Sequence, residues 1–482
     1  MAMAEELQQT NISQDQVLPV VPHVAPADKP DTNVLVPEDK NTQHKQEEKE
    51  ASLEKEKEKK NAAETETETE TENEVSKPDE AIPESGSFKE ESTIVSDLPE
   101  SEKKALQELK HLVQEALSKH DFSAAEKEGE SVTAVAEESA EEVSIWGVPL
   151  VADERSDVIL LKFLRARDFK VKEAMAMIKS TIRWRKEFGM EELLLEELGD
   201  DDLAKAVYMH GFDKEGHPVC YNVYGEFQDK ELYKKTFSDE EKRVRFLRWR
   251  IQFLEKSIRK LDFAPGGICT IVQLNDLKNS PGPAKWELRQ ATKQALQLLQ
   301  DNYPEFVAKQ LFINVPWWYL AVNRMISPFL TQRTKSKFVF AGPSKSAETL
   351  LRYIAAEQLP VKYGGLSKDG EFGISDAVTE ITVKPAAKHT VEFPVTESCL
   401  LSWELRVIGW DVSYGAEFVP TSEGSYTVII QKARKVASSE EPVLCSNYKI
   451  GEPGKVVLTI DNQSSKKKKL LYRLKVKPSS SE

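Results

Sequence analysis

The spacing between apolar residues changes period twice along this chain, and that excludes one continuous fold. From Leu106 to Ile182 apolar residues recur at helical intervals; from Pro218 to Pro360 short apolar runs alternate with helical stretches; beyond Phe372 the interval falls to two. A period near 3.6 turns one face of a helix to a core, and a period of two does the same for a strand. A polypeptide with all three regimes needs more than one core, and its 482 residues suit about two or three units.

One unit has no core to build. From Glu47 to Glu74 the chain is Glu, Lys and Thr with almost nothing apolar, so ordering it would cost more than burial returns. Residues 1–100 are therefore expected to be a disordered acidic tail. Its serines and threonines among acids also suit a phosphorylated regulatory arm, and a plain solubilising tail is the alternative. The charge is segregated: residues 1–145 hold 37 acidic and 15 basic residues, a net of −22, which leaves +7 on the remainder of a chain whose total is −15. A basic body points to an anionic partner.

The first residues lack a basic flank followed by an apolar run, so no secretory leader is expected. No stretch reaches the roughly 18 apolar residues of a membrane span, which would leave any membrane contact peripheral. Cys220, Cys269, Cys399 and Cys445 are scattered, without paired metal or redox spacing, and fit a cytoplasmic chain.

In residues 101–200, Leu106, Leu109, Leu112, Val113 and Leu117 predict one helix, and a helical block follows from Val158 through Phe188. Lys162, Arg165, Arg167, Arg183 and Arg185 are expected on the polar side of that block. In residues 201–370, strands are predicted at Pro218 to Tyr224, Gly267 to Leu274, Gln310 to Val315 and Lys337 to Ala341. Helices lie between them, one carrying Val244, Leu247, Ile251, Leu254, Ile258 and Leu261, so the sheet should be mainly parallel with helical cover. In residues 371–482, Leu401 to Val407, Trp410 to Phe418, Tyr426 to Ile430 and Val456 to Ile460 alternate with polar residues, the pattern of a β-sandwich.

The chemistry is mostly negative. No phosphate loop, metalloprotease helix, nucleophile elbow or cysteine cluster occurs, which argues against an enzyme and against a cofactor. His210 and His217 flank turn residues, so a hairpin is a simpler reading than a metal site. The richer segment runs Asn302, Tyr303, Pro304, Glu305, then Asn314, Val315, Pro316, Trp317, Trp318, Tyr319, then Pro328, Phe329, Leu330. An aromatic helix straight after a parallel strand could close a lipid-sized pocket or be ordinary core.

Leu161 to Phe169 and Trp184-Arg185-Lys186 resemble the N-terminal helical motif of CRAL-TRIO lipid-transfer proteins. Asn-Tyr-Pro-Glu, Asn-Val-Pro and Pro-Phe-Leu resemble the core of their lipid-binding domain, and Leu359 to Gly365 resembles its ending. The last 110 or so residues, with Trp403-Glu404-Leu405 and paired Gly-rich turns, resemble a GOLD domain. With the acidic tail, the whole is similar to the patellin family of plants. The resemblance implies a multidomain chain: a disordered acidic tail, an α/β CRAL-TRIO domain with its N-terminal helical subdomain, and an all-β GOLD-like sandwich. It also implies phosphoinositide binding in membrane trafficking on cytosolic membrane faces, notably at the forming cell plate.

By the same resemblance the inositol lipid site matches Glu305, Lys337 and Arg167. A lysine can neutralise a phosphate and a carboxylate can accept from inositol hydroxyls, while an ion pair between the two is the plainer alternative. The expected partners are phosphoinositides and acidic membrane surfaces, with trafficking proteins possible through the GOLD domain and no nucleic acid. An adaptor with a vestigial pocket is the rival reading. For membrane docking, Lys466, Lys467, Lys468 and Lys469 precede a final strand in which Leu470, Tyr472, Leu474 and Val476 alternate with Arg473, Lys475 and Lys477. Period two would send that apolar set inward and the cations outward as one basic patch.

Overall fold

Pro99 opens the first helix, Glu100–Ser118, and Glu100 and Glu102 in its first turn complement the helix N-terminus. It buries Ala105, Leu106, Leu109, Val113 and Ala116, with Leu112 and Leu117 half-buried against the same core. The computed structural model describes residues 90–122, 143–198, 201–281, 285–316, 336–437 and 443–478. The acidic Glu/Lys/Thr run and the aromatic segment from Trp317 to Leu330 lie outside them.

The helical block expected from Val158 to Phe188 is two helices, Glu154–Arg165 and Val171–Glu187. Asp168 and Phe169 both take left-handed backbone (φ 47° and 59°), which no helix can carry, and the chain turns there. Asp153 starts the first of the pair with a capping box, its carboxylate on the amide of Arg155 and Ser156 answering to the backbone of Asp153. The expected polar side is also corrected. Lys162, Arg165 and Arg185 are buried, because each reaches a carbonyl or carboxylate on a neighbouring segment: Cys269 and Glu305 for Lys162, Ser92 and Glu91 for Arg165, Glu255 for Arg185.

A five-stranded sheet follows, in the order β3 (Val207–Phe212), β4 (Pro218–Val223), β5 (Ile271–Asp276), β6 (Val307–Ile313), β7 (Phe338–Phe340), numbered after a short hairpin of β1 (Ser144–Ile145) and β2 (Val148–Pro149). β3 and β4 form an antiparallel hairpin, and the remaining pairs are parallel. His210 and His217 indeed flank that hairpin turn. The two sheet faces meet different cores. Cys220 and Ile271 face the helices Glu240–Ile258 and Trp286–Asn302, whereas Val219, Tyr221, Val272, Leu274, Leu311 and Ile313 face the helix Ser346–Tyr353. The Leu359–Gly365 segment closes this domain: Gly364 is left-handed (φ 105°), and a Cβ at Gly365 would strike the carbonyl of Leu359.

The last described unit is a sandwich of two four-stranded antiparallel sheets. One is ordered β13 (Leu444–Ile450), β10 (Cys399–Val407), β15 (Lys468–Pro478), β8 (Thr379–Val383); the other is β12 (Val428–Val436), β11 (Val412–Pro420), β14 (Gly454–Asn462), β9 (Ala387–Val395). Leu401, Trp403 and Leu405 interdigitate with Tyr414, Ala416, Phe418, Leu458 and Ile460, the alternation the sequence predicts. β12 departs from it. Tyr426 and Ile429 are exposed and only Val436 is buried in that strand, because β12 is an edge strand with one neighbour.

The sandwich and the α/β domain share one apolar cluster. Leu471 of β15 and Val443 join Leu350, Leu351, Ile354 and Leu366 there. Arg406 donates from Nη1 to the carbonyls of Val361 and Gly365, at 2.5 and 3.0 Å. Arg473 donates to the carbonyls of Leu366 and Gly373, each at 2.8 Å, while holding Glu404 at 2.9 Å.

Candidate functional site

The turn that carries Glu305 is built by its own sequence. Pro304 cannot continue the Trp286–Asn302 helix, Tyr303 closes that helix on the carbonyl of Leu299, and Glu305 takes left-handed backbone (φ 54°) before β6 begins. Such backbone costs a non-glycine residue free energy, so it persists only where its surroundings hold it.

Two sets of contacts hold it. Lys162, 2% exposed, donates to the Glu305 carbonyl at 2.7 Å and to the Cys269 carbonyl at 2.9 Å, with its ammonium 4.2 Å from the centre of the Phe306 ring. Tyr303 donates its hydroxyl to Glu255 at 2.7 Å, and Glu255 receives a two-pronged Arg185 at 2.6 and 3.0 Å. Burial and the Glu255 carboxylate push the Tyr303 hydroxyl well above its ordinary pKa, so it remains a donor. Burial opposes the charge on Arg185, yet Glu255 more than offsets this and raises its pKa.

The Glu305 carboxylate lies 3.2 Å from the ammonium of Lys337, and both side chains are at least nine-tenths buried. The two residues that the resemblance matched to an inositol lipid site are thus brought together, as a buried pair and not the surface pair that is its plainer alternative. Arg167 is not part of it: half-buried just past the end of its helix, it donates to the neighbouring carbonyl of Ala166. The basic residue of the helical motif that does reach Glu305 is Lys162. Its signal was in the sequence, a lysine inside Val158-Ile159-Leu160-Leu161-Lys162-Phe163-Leu164, where no polar face exists for it.

The basic row on the final strand is corrected. Period two holds, but the supposed outer face of β15 is the one laid on the α/β domain and the 366–376 segment. Arg473 is buried on Glu404; Lys475 pairs with Asp376 at 3.1 Å and Lys477 with Glu371 at 2.7 Å. Leu474 and Val476, expected inside, are exposed. Lys469 pairs with Glu380 and Lys468 donates to the Gly409 carbonyl, which leaves Lys466 and Lys467 as the exposed members of the lysine run.

A second charged cluster closes the β3–β4 hairpin. The buried His217 ring meets Asp213 at 3.0 Å through Nδ1 and Glu90 at 3.1 Å through Nε2, and Glu90 also accepts from Thr270 at 2.6 Å. Asp213, Glu215 and His217 are grouped closely enough to invite a metal reading, but both ring nitrogens of His217 are taken up by carboxylates. His210 turns away, to Ser367 at 2.8 Å. Among the described residues no helix is long and apolar enough to cross a membrane.

Three family models match the chain in order: the CRAL/TRIO N-terminal domain over residues 105–180, the CRAL/TRIO domain over 204–365, and the Patellin-1-like C-terminal GOLD domain over 384–468. Patellin-3 of Arabidopsis thaliana is 63% identical over 403 residues, covering 82% of this chain and 79% of that protein. Patellin-6 of the same plant is 45% identical, covering 82% of this chain and 92% of its own length. The phosphatidylinositol transfer protein SFH5 of Meyerozyma guilliermondii is 31% identical over 45% of this chain and 67% of that protein. With the helical region, the mixed sheet and the sandwich each matched in sequence, the chain belongs to the patellin family.

Proposed function

We propose that this chain is a non-catalytic lipid-binding protein that takes a phosphoinositide into its α/β domain and works at acidic cytosolic membrane surfaces in membrane trafficking, including the cell plate of dividing cells. The observation that carries the reading is the buried Glu305–Lys337 pair, whose carboxylate sits on the turn between Tyr303 and Phe306. An inositol phosphate offers both halves of what that pair wants: a phosphate for the ammonium and hydroxyls for the carboxylate. The relative named as a phosphatidylinositol transfer protein supports the same class of ligand. The cell-plate role rests on the patellin resemblance.

Changing both members avoids leaving one buried charge alone. Glu305→Ala with Lys337→Ala is expected to reduce retained phosphoinositide by about tenfold or more, since each charged hydrogen bond contributes about 1.5 to 3 kcal/mol. Lipid extracted from the purified full chain and identified by mass spectrometry measures this. Equal loading in a folded double variant would remove the pair from the site.

For membrane docking, the exposed pair Lys466 and Lys467 supports a smaller contribution than a seven-cation patch. At about 1 kcal/mol per cation near an anionic leaflet, the quadruple change of Lys466 to Lys469 to alanine should cost about 2 kcal/mol of vesicle affinity at low salt. The wild-type chain should lose affinity as salt rises. Co-sedimentation with acidic vesicles tests both, and a folded variant that sediments like wild type refutes the patch.

An adaptor reading has one observation in its favour: the edge strand β12 exposes Val428 and Ile429 beside Tyr426. Protein that carries no lipid after purification would favour it.

A further inference from the structure

The sandwich ends in four edge strands, and these differ in how open they are. β9 carries Pro394, which cannot donate to an added strand; β8 has five residues, with Glu380 taken by Lys469; β13 exposes Cys445, Asn447 and Lys449 but no large apolar side chain. β12 has nine residues and, among the described residues, pairs with β11 alone. Val428 is 42% exposed and Ile429 68%, and Tyr426, just before the strand, is 90% exposed. Tyr426 to Gln431 reads Tyr-Thr-Val-Ile-Ile-Gln, mostly aromatic and β-branched, with no charge. Lys432, Arg434 and Lys435 follow, all exposed, and the strand holds no acidic residue.

Lysines often guard a strand edge against pairing, but a guarded edge does not leave an uncharged half bare. Here the charge is gathered in one half and the apolar side chains stand open in the other. Lys435 meets Asp411 at 2.8 Å in an exposed pair, which leaves its ammonium open to a second carboxylate. Three kinds of occupant could cover such an edge, and two fit it badly. A second copy pairing antiparallel along the full strand would set Lys432 opposite Lys432, and like charges across a ladder destabilise it. A bilayer would meet a row of backbone N–H and C=O groups with nothing to pair them. An extended peptide pairs that row, and being flexible it follows the change of register between β11 and β12 at Ala416.

We infer that β12 is a docking edge for an extended acidic segment of a partner protein, which adds to the sandwich as an antiparallel strand. The segment's acidic residues lie opposite Lys432, Arg434 and Lys435, and the β-branched or aromatic residues that follow them lie opposite Val428 and Ile429. The backbone ladder supplies affinity, and the split between charge and apolar surface sets direction and register. The inference deepens the adaptor reading's use of this edge and rests on it, and it does not require the α/β domain to be empty of lipid.

The test uses the full chain and a labelled peptide as long as β12, with glutamates in its first half and valines and threonines in its second. Fluorescence anisotropy gives the affinity, and hydrogen exchange read by mass spectrometry gives the protection of β12 amides. Wild type should bind this peptide at least about tenfold more tightly than the same peptide with lysines in place of glutamates, and binding should slow exchange in β12 and not in β9. Lys432→Glu with Lys435→Glu, both exposed and so harmless to folding, should invert the preference. Ile429→Lys should weaken binding of both peptides; if it fails to fold, the charge reversal decides alone. Equal affinity for the two peptides, or binding without protection of β12, overturns the inference. Protection of β12 that grows with protein concentration in the absence of peptide overturns it in favour of a second copy, and protection by acidic vesicles in place of the peptide overturns it in favour of a bilayer. The lipid content of the same preparation is read separately. A lipid-loaded chain that binds the peptide upholds the docking edge and overturns the vestigial pocket; a lipid-free chain that ignores the peptide overturns the docking edge and leaves the adaptor reading standing.

Discussion

Glu255→Ala is expected to lower the unfolding free energy by about 3 to 5 kcal/mol, the usual cost of leaving one member of a buried ion pair alone. Both carboxylate oxygens are engaged, by the fork of Arg185 and by the Tyr303 hydroxyl, with Arg259 a further 3.7 Å contact. Removing the carboxylate strands a guanidinium and a phenol that are both buried. Arg185→Met combined with Glu255→Leu should recover much of the loss, because an apolar pair of similar volume has no desolvation to offset. Urea unfolding of the three proteins measures it. A single change costing under about 1 kcal/mol would mean that the network is a bystander to stability. The consequence extends to the site, since Tyr303 fixes the turn that presents Glu305.

Alkaline pH should weaken the fold through His217. Burial alone would lower its pKa, but hydrogen bonds and charges from Asp213 and Glu90 win and raise it from 6.5 to about 10. A group whose folded pKa is raised contributes fully below its unfolded value and loses that contribution as pH climbs to the folded one. Stability should therefore fall between about pH 6.5 and 10, by up to about 1.4 kcal/mol per pH unit from this one proton. Glu90 and Asp213 act in the opposite sense: burial opposes their charge, the His217 hydrogen bonds more than compensate, and both pKa values are lowered. Their contribution is present above their unfolded pKa values and is lost as pH falls through the folded ones. Unfolding measured at several pH values, for wild type and His217→Gln, checks the slope. A variant that keeps the full alkaline slope would assign it to other groups.

How much was legible follows from what each residue needed to be read. Trp403, Tyr414, Phe418 and Leu458 declare their sheet faces through local alternation, and local information suffices for them. The strand expected from Gly267 begins only at Ile271, since Asp262 and Ala264 crowd Gly267 into a turn. Parity located Arg473 on the face opposite Leu470 and Tyr472, but parity cannot say whether that face meets water or another domain. The apolar run around Lys162 carries the signal that it is buried, but not its acceptors, the carbonyls of Cys269 and Glu305, which are more than a hundred positions away. Glu305 and Lys337 were found through family motifs, and their 3.2 Å separation needed the fold.

The shared core between sandwich and α/β domain has a mechanical consequence. With Leu471 in the α/β core and Arg473 hydrogen-bonded to Leu366 and Gly373, the last strand acts as a rigid strut and not a tether. A flexibly joined pair would lose rotational freedom twice on meeting a surface, once for each domain. Joined by a strut, the sandwich and the α/β domain lose it once, so under the docking proposed for Lys466 and Lys467 the landing of the sandwich would also set the angle at which the α/β domain meets the bilayer.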